Sequence, residues 1–235
     1  MSADPAPVSE VLGRLESHYG PQSPNWPVDP YGFLIWWHSG YPQSDDRCTK
    51  GWKSLNRSIG VHPDEILQAT IASLAFALRS GGLFPEARAE RVREVATRVK
   101  KEFGGDLGAH LRGPVSATRK LLTTFPGIAT AGADRILLFA GLAPVPAIPS
   151  NCPHAVVRIL DGADPATYPA TYKRASELIS LNLPESFDDR ARAYLLLKRH
   201  GQELCKRSPR CVACPLNRSC RYAAANKKPA TASDG

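Results

Sequence analysis

Apolar residues recur at intervals of three and four almost throughout the chain, and no stretch alternates strictly between apolar and polar, so the pattern predicts an all-α fold. Val8, Val11, Leu12 and Leu15 form the stripe of a short amphipathic helix closed by Gly20. A linker with Pro21, Pro24 and Pro27 leads to a second helix beginning near Pro30, YGFLIWWHSG, which is apolar nearly all round and therefore deeply packed, with Trp36 and Trp37 as core residues. Ser44, Asp45 and Asp46 read as a cap and acidic first turn for a helix over 45–58. Pro63, Asp64 and Glu65 open the next, running to Arg79 and stopped by Gly81 and Gly82. From Pro85, Val92, Val95, Val99 and Phe103 share one stripe, and Gly104 terminates the helix. Further helices are predicted over 114–124, 130–141, 153–161, 168–181 and 187–203, with disordered tails at 1–6 and about 224–235.

The 235 residues, 43% of them hydrophobic, suffice to bury a core in one large domain or two small ones. No apolar run approaches the roughly 20 residues of a membrane helix; the longest, 136–149, is broken by Gly141, Pro144 and Pro146. The opening MSADPAPVSE carries two acids and no apolar segment, unlike a signal peptide, so the expectation is a cytoplasmic protein, nucleoid-associated if bacterial. The net charge is +8, and residues 188–228 hold eleven Lys or Arg against three Asp or Glu, while the rest of the chain has nineteen of each. A field concentrated in this way favours a polyanion, most commonly nucleic acid, with binding that weakens steeply as salt rises.

Four of the six cysteines, Cys205, Cys211, Cys214 and Cys220, fall within CKRSPRCVACPLNRSC. Without a secretion signal, thiols this close point to a metal centre rather than to two disulfides. Zinc sites more often pair two separate C-x-x-C knuckles, whereas a run wrapped once around a compact centre suits a [4Fe–4S] cluster. Cys48 and Cys152 lie away from this run and read as apolar fillers.

The segment LLTTFPGIATAGADRILLFAG, residues 121–141, places a Pro-Gly turn between two apolar helices, a hairpin able to aim backbone N–H groups and a helix start at a phosphate without reading sequence. The cysteine loop follows about 65 residues later. With FPGIA at 125–129, PSNCPHAVVRI at 149–159 and HGQELCKRSPRCVACPLNRSC at 200–220, the chain resembles, over about residues 8–222, endonuclease III and its relatives in the helix-hairpin-helix superfamily of DNA glycosylases. The resemblance implies an N-terminal helix within 1–28 packed on a cluster domain at 146–222, a six-helix barrel over 29–145 with its hairpin at 114–141, and a disordered basic tail at 223–235. It also implies Cys205, Cys211, Cys214 and Cys220 as ligands of a [4Fe–4S] cluster, and a monomer that binds double-stranded DNA, damaged or abasic, between the domains with the target base flipped out.

Departures from the family pattern change the expected chemistry. The lysine that attacks the sugar as a nucleophilic amine falls on Ala131, which has no lone pair, so lyase chemistry by this route is absent. The family aspartate that helps expel the base falls on Asn151, or on Pro153 when counted back from Arg158; neither carries negative charge. The second hairpin glycine is Ala129, where a left-handed backbone costs about 1–2 kcal/mol and would reshape the turn. The glutamine that fills the gap of the flipped base falls on Pro42, with Gln43 or a stacking Tyr41 as substitutes. The first cysteine interval is one residue shorter than usual.

The expected DNA contacts are therefore Gly127, Ile128, Ala129 and Ala131 of the hairpin, Tyr41, Pro42 and Gln43, and Lys206, Arg207, Arg210 and Arg218 of the cysteine loop. Asp45, with Asp46, is the candidate relocated acid; Asp134 is expected to cap or face solvent, Asp161 to end a helix, and His154 to serve as a structural hydrogen-bonding group. The reading that results is a DNA-binding iron–sulfur protein of base excision repair with weak, altered or absent glycosylase activity. Its alternatives are an active monofunctional glycosylase using a relocated carboxylate, and a zinc-stabilised DNA-binding module.

Overall fold

The structure is a computed structural model that describes residues 7–163 and 167–226. In chain order its helices are α1 (Val8–Tyr19), α2 (Pro30–His38), α3 (Asp45–Ser58), α4 (Pro63–Gln68), α5 (Ile71–Leu78), α6 (Pro85–Phe103), α7 (Val115–Leu122), α8 (Thr130–Phe139), α9 (Pro153–Leu160), α10 (Tyr168–Asn182), α11 (Phe187–Glu203) and α12 (Arg221–Ala225), with short 3₁₀ turns at Arg79–Gly81, Gly108–Leu111 and Cys211–Ala213. No strand occurs among the described residues, as the periodicity predicts. Among the described residues, no helix is long and apolar enough to cross a membrane.

Local chemistry explains most boundaries. Asp29 caps α2 by accepting from the Gly32 N–H at 2.6 Å, ahead of Pro30 at the first helical position. Gly20 and Gly104 end α1 and α6 with positive φ, +71° and +61°. The helix expected over 63–79 is instead two. Ala69 leaves the helical region, and the Thr70 hydroxyl accepts from the Ser73 N–H at 3.1 Å, restarting the chain as α5 in a new direction. Ser44 stands at the start of α3 but makes no capping hydrogen bond, so Asp45 and Asp46 supply that terminus with its favourable charge. Of the expected tails, 1–6 and 227–235 lie outside the described residues, while α12 extends helix through residue 225.

The chain forms two compact units, 24–143 and 1–23 with 144–235. In the first, α2 supplies the centre: Phe33, Leu34, Ile35 and Trp36 are buried, and α2 packs on α3 and α6. The Val92, Val95 and Val99 stripe of α6 is fully buried, and α6 packs against α4 and α5. In the second unit, Val11, Leu12 and Leu15 of α1 join Val156, Ile159, Leu178, Leu196 and Leu216 in one core. There α1 packs on α11, and α9 packs on α10, α11 and α12.

Candidate functional site

Helices α7 and α8 make the hairpin. Gly127 sits at the turn with φ +66° and is exposed; a Cβ there would stand 3.5 Å from His38 Cε1 and 3.6 Å from Trp37 Nε1, ordinary contacts, so conformation rather than space selects glycine. Ile128 is buried and anchors the turn. Ala129 is extended, φ −98° and ψ −177°, which corrects the expectation of a left-handed residue: the position carries no strain without glycine. Ala129 has no capping side chain, so the first N–H groups of α8 remain available to an anion. Ala131 is half-buried in that first turn. Beneath the hairpin, burial, with the Arg91 charge as a lesser cause, holds His38 down at a pKa of about 4.

Two turns of the same unit meet through Arg88, a buried residue of α6 that donates to the Ser39 carbonyl at 2.7 Å and to the Gly82 carbonyl at 2.6 Å. The first turn carries Tyr41, Pro42 and Gln43, joined by a cis Tyr41–Pro42 peptide. Pro42 and Gln43 are exposed, whereas Tyr41 stacks on Trp37 with ring centroids 4.3 Å apart. Trp36 is core as expected, but Trp37 is only half-buried. The second turn carries Leu83 and Phe84, 69% and 75% exposed, and Phe84 is the one non-glycine residue with positive φ among the described residues. An exposed aromatic held in a left-handed conformation that costs about 1–2 kcal/mol is a functional signal. It was present in the sequence as an apolar pair between two glycines and a proline. Gly82 abuts the Gln43 side chain, so the two turns offer Gln43, Leu83 and Phe84 side by side.

The acids fall differently from expectation. Asp45 Oδ2 pairs with Arg135 Nη2 at 2.8 Å, and the Arg135 guanidinium lies 3.7 Å from the Trp26 ring centroid. Asp46 is exposed and accepts from Asn25 Nδ2 at 3.3 Å. Asp134 is buried against Arg119 at 2.6 Å, correcting its reading as a cap or solvent-facing group. Asp161 follows α9 as expected and pairs with Arg174, which holds its carboxyl below the usual range. The solvent face of α3 adds Arg47, Lys50, Lys53 and Arg57, all exposed, within a stretch from 47 to 63 that holds no acid. A charge count over whole segments had hidden this second basic surface.

In the other unit, Cys205, Cys211, Cys214 and Cys220 line one cavity together with Arg158, His200 and Tyr222. Arg158, buried in α9, donates to the carbonyls of Lys206 at 2.6 Å and Arg207 at 3.3 Å, fixing the loop backbone while the side chains of Lys206, Arg207, Arg210 and Arg218 stay exposed. His154 holds the Cys205 carbonyl at 2.9 Å, a structural role as expected. Cys152 is buried but not remote: with Ala155 it packs against Cys205. Asn151 is exposed in the turn before α9, and its Oδ1 accepts from the Cys152 thiol at 3.4 Å.

Burial raises the thiols of Cys205 (to about 11), Cys214 and Cys220, opposed at Cys205 by Arg158, at Cys214 by the Leu216 N–H and at Cys220 by the N–H groups of Ala223 and Tyr222. Among the described residues, no three His, Cys, Asp or Glu side chains stand close enough to hold a metal as they are placed. Four thiols around one cavity, with N–H donors aimed at sulfur, nevertheless fit a four-thiolate centre in kind and in location. His200 is the residue that local pattern missed. It is 1% exposed, its ring lies between Tyr19 and Cys214, and burial holds its pKa down at about 4.

No protein-family model matches the chain. An adenine DNA glycosylase of Mycolicibacterium smegmatis is 29% identical over 175 residues, 74% of this chain and 52% of that protein, so the chain spans about half the length of the curated relative it matches. A thermostable thymine-DNA glycosylase superposes with a TM-score of 0.70 at 20% identity, over 93% of this chain and 95% of the other. A trapped endonuclease III–DNA covalent intermediate gives 0.69 at 18% identity, over 93% and 96%. The chain has the all-α helix-hairpin-helix fold of these solved structures. A 3-methyladenine DNA glycosylase of H. pylori superposes with a TM-score of 0.56 at 19% identity, over 82% of this chain and 94% of the other.

Proposed function

We propose that this chain is a member of the helix-hairpin-helix superfamily of DNA glycosylases and binds double-stranded DNA, damaged or abasic, in base excision repair. Its base release is weak, altered or absent, and it has no lysine-dependent lyase step. The observation that carries the reading is the hairpin. An exposed left-handed Gly127 and an uncapped α8 start present N–H groups for a phosphate, as in a DNA-binding superfamily fold, yet the first turn of α8 carries Ala131 and no amine. Gln43, Leu83 and Phe84 are the side chains suited to fill or wedge a base stack. The exposed cations of the cysteine loop and of α3 supply sequence-independent phosphate contacts.

Cys205, Cys211, Cys214 and Cys220 would hold a [4Fe–4S] cluster, which when bound supplies a rigid core and redox capacity. The chain's own residues hold the loop: Arg158 ties its carbonyls, and Leu216, Tyr222 and Ala223 donate to sulfur. Zinc at the same thiols is the competing occupant, and iron, acid-labile sulfide and visible absorbance separate the two.

The test is single-turnover incubation, protein in excess, with duplexes bearing uracil, oxidised pyrimidines, mismatches or an abasic site. Strand breaks are scored with and without alkali. Tight, salt-sensitive binding without cleavage in the absence of alkali is expected. Cleavage without alkali, or no binding to any duplex, contradicts the reading. Base release seen only after alkali, and abolished by Asp45→Asn in a folded variant, favours the monofunctional glycosylase with a relocated carboxylate.

A further inference from the structure

The Tyr19 hydroxyl lies 3.1 Å from His200 Nδ1, and His200 Nε2 lies 3.7 Å from Cys214 Sγ. The three groups come from α1, from α11 and from the cysteine loop, and 181 residues separate the first pair. His200 is 1% exposed, so its ring nitrogens depend on Tyr19 and Cys214 for hydrogen bonds. The Leu216 N–H already donates to Cys214 Sγ at 3.4 Å.

We propose that Tyr19 and His200 form a hydrogen-bonded relay that ends on the Cys214 sulfur and tunes the cluster held there. The inference rests on the cluster reading above. A ligating cysteine is a thiolate and accepts only. Nε2 must then carry a proton and donate to Cys214, while Nδ1 faces the Tyr19 O–H. With Cys214 as a thiol, the opposite tautomer is available: S–H donates to Nε2 and Nδ1–H donates to the Tyr19 oxygen. Loading the site therefore fixes the ring's tautomer, and Tyr19 is the group that stabilises the loaded one. Donation to a ligand sulfur favours the more negative, reduced cluster and raises its potential. In this arrangement α1 completes the environment of a ligand almost two hundred residues away, and His200 and Tyr19 are positioning residues.

The experiment uses full-length protein purified without oxygen, comparing wild type with Tyr19→Phe, His200→Leu and His200→Gln. Iron and acid-labile sulfide are assayed first. The midpoint potential is then measured by voltammetry on DNA-free protein, and the ring tautomer is read from ¹⁵N-histidine spectra. Wild type without iron and sulfide overturns the cluster reading, and the relay with it. With wild type loaded, His200→Leu is expected to lower the potential by an amount equal to about a tenfold change in the reduced-to-oxidised ratio, 59 mV for one electron. His200→Gln, whose amide can still donate, recovers part of that shift. Tyr19→Phe, which keeps the packing, lowers the potential less and relaxes the Nε2–H tautomer. A loaded Tyr19→Phe with wild-type potential and tautomer overturns the relay, including where His200→Leu fails to load.

Discussion

Asp45 is where catalytic and structural readings diverge most sharply. Its Oδ2 stands 2.8 Å from Arg135 Nη2, with side chains 18% and 5% exposed. At an effective dielectric of about 20 their attraction is about 6 kcal/mol, most of which offsets the desolvation of the two charges. Asp45→Asn keeps the shape and leaves Arg135 charged beneath Trp26, Phe33 and Trp36, whose ring faces continue to hold it. Removing one partner of such a pair costs about 3 kcal/mol here, toward the low end of the buried range because water reaches Asp45. For a chain of this length that lowers Tm by roughly 6–12 °C in thermal unfolding followed by circular dichroism. Adding Arg135→Met, which replaces the guanidinium with apolar volume, restores most of the loss. Below the transition, the single variant binds DNA as wild type does. An unchanged Tm together with lost base release would refute this reasoning and make Asp45 the relocated acid.

Gly127→Ala places a Cβ in open contact but at φ +66°, so it lowers stability by only about 1 kcal/mol while weakening duplex binding in fluorescence anisotropy, because the turn must shift to relieve the backbone. Lys206→Ala with Arg207→Ala lowers the slope of log Kobs against log salt by about 2 in a potassium chloride series, since each lost phosphate contact removes about 0.9. His38, held down from 6.5 to about 4, binds its proton more readily in the unfolded chain, so its contribution is complete above about pH 6.5 and is lost as pH falls toward 4. Urea midpoints should fall across that window in wild type and fall less in His38→Gln.

The elements were legible wherever local chemistry decides them. Helix α6 announces itself through Pro85, one valine stripe and Gly104, and the cysteine run is visible as spacing alone. The break at Ala69 was not, because the apolar period continues across it and only the Thr70 hydroxyl, competing for a backbone N–H, turns the chain. Asp134 and Asp45 each depend on an arginine 15 or 90 residues away, a partnership that no local pattern carries. Cys152 was hidden in the same way, since sequence distance says nothing of its packing against Cys205. Ala129 erred in the other direction. A glycine in relatives suggested a left-handed turn, while this chain passes through the position extended.

The proposed function has this chain bind DNA without the amine that would attack the sugar. Borohydride trapping on an abasic duplex tests it most directly, comparing wild type with Ala131→Lys. No covalent protein–DNA adduct is expected from wild type and a trapped adduct from Ala131→Lys, because the new amine stands at the start of α8 beside the hairpin. A trapped wild type would contradict it, as would an Ala131→Lys variant that binds the duplex and yields no adduct.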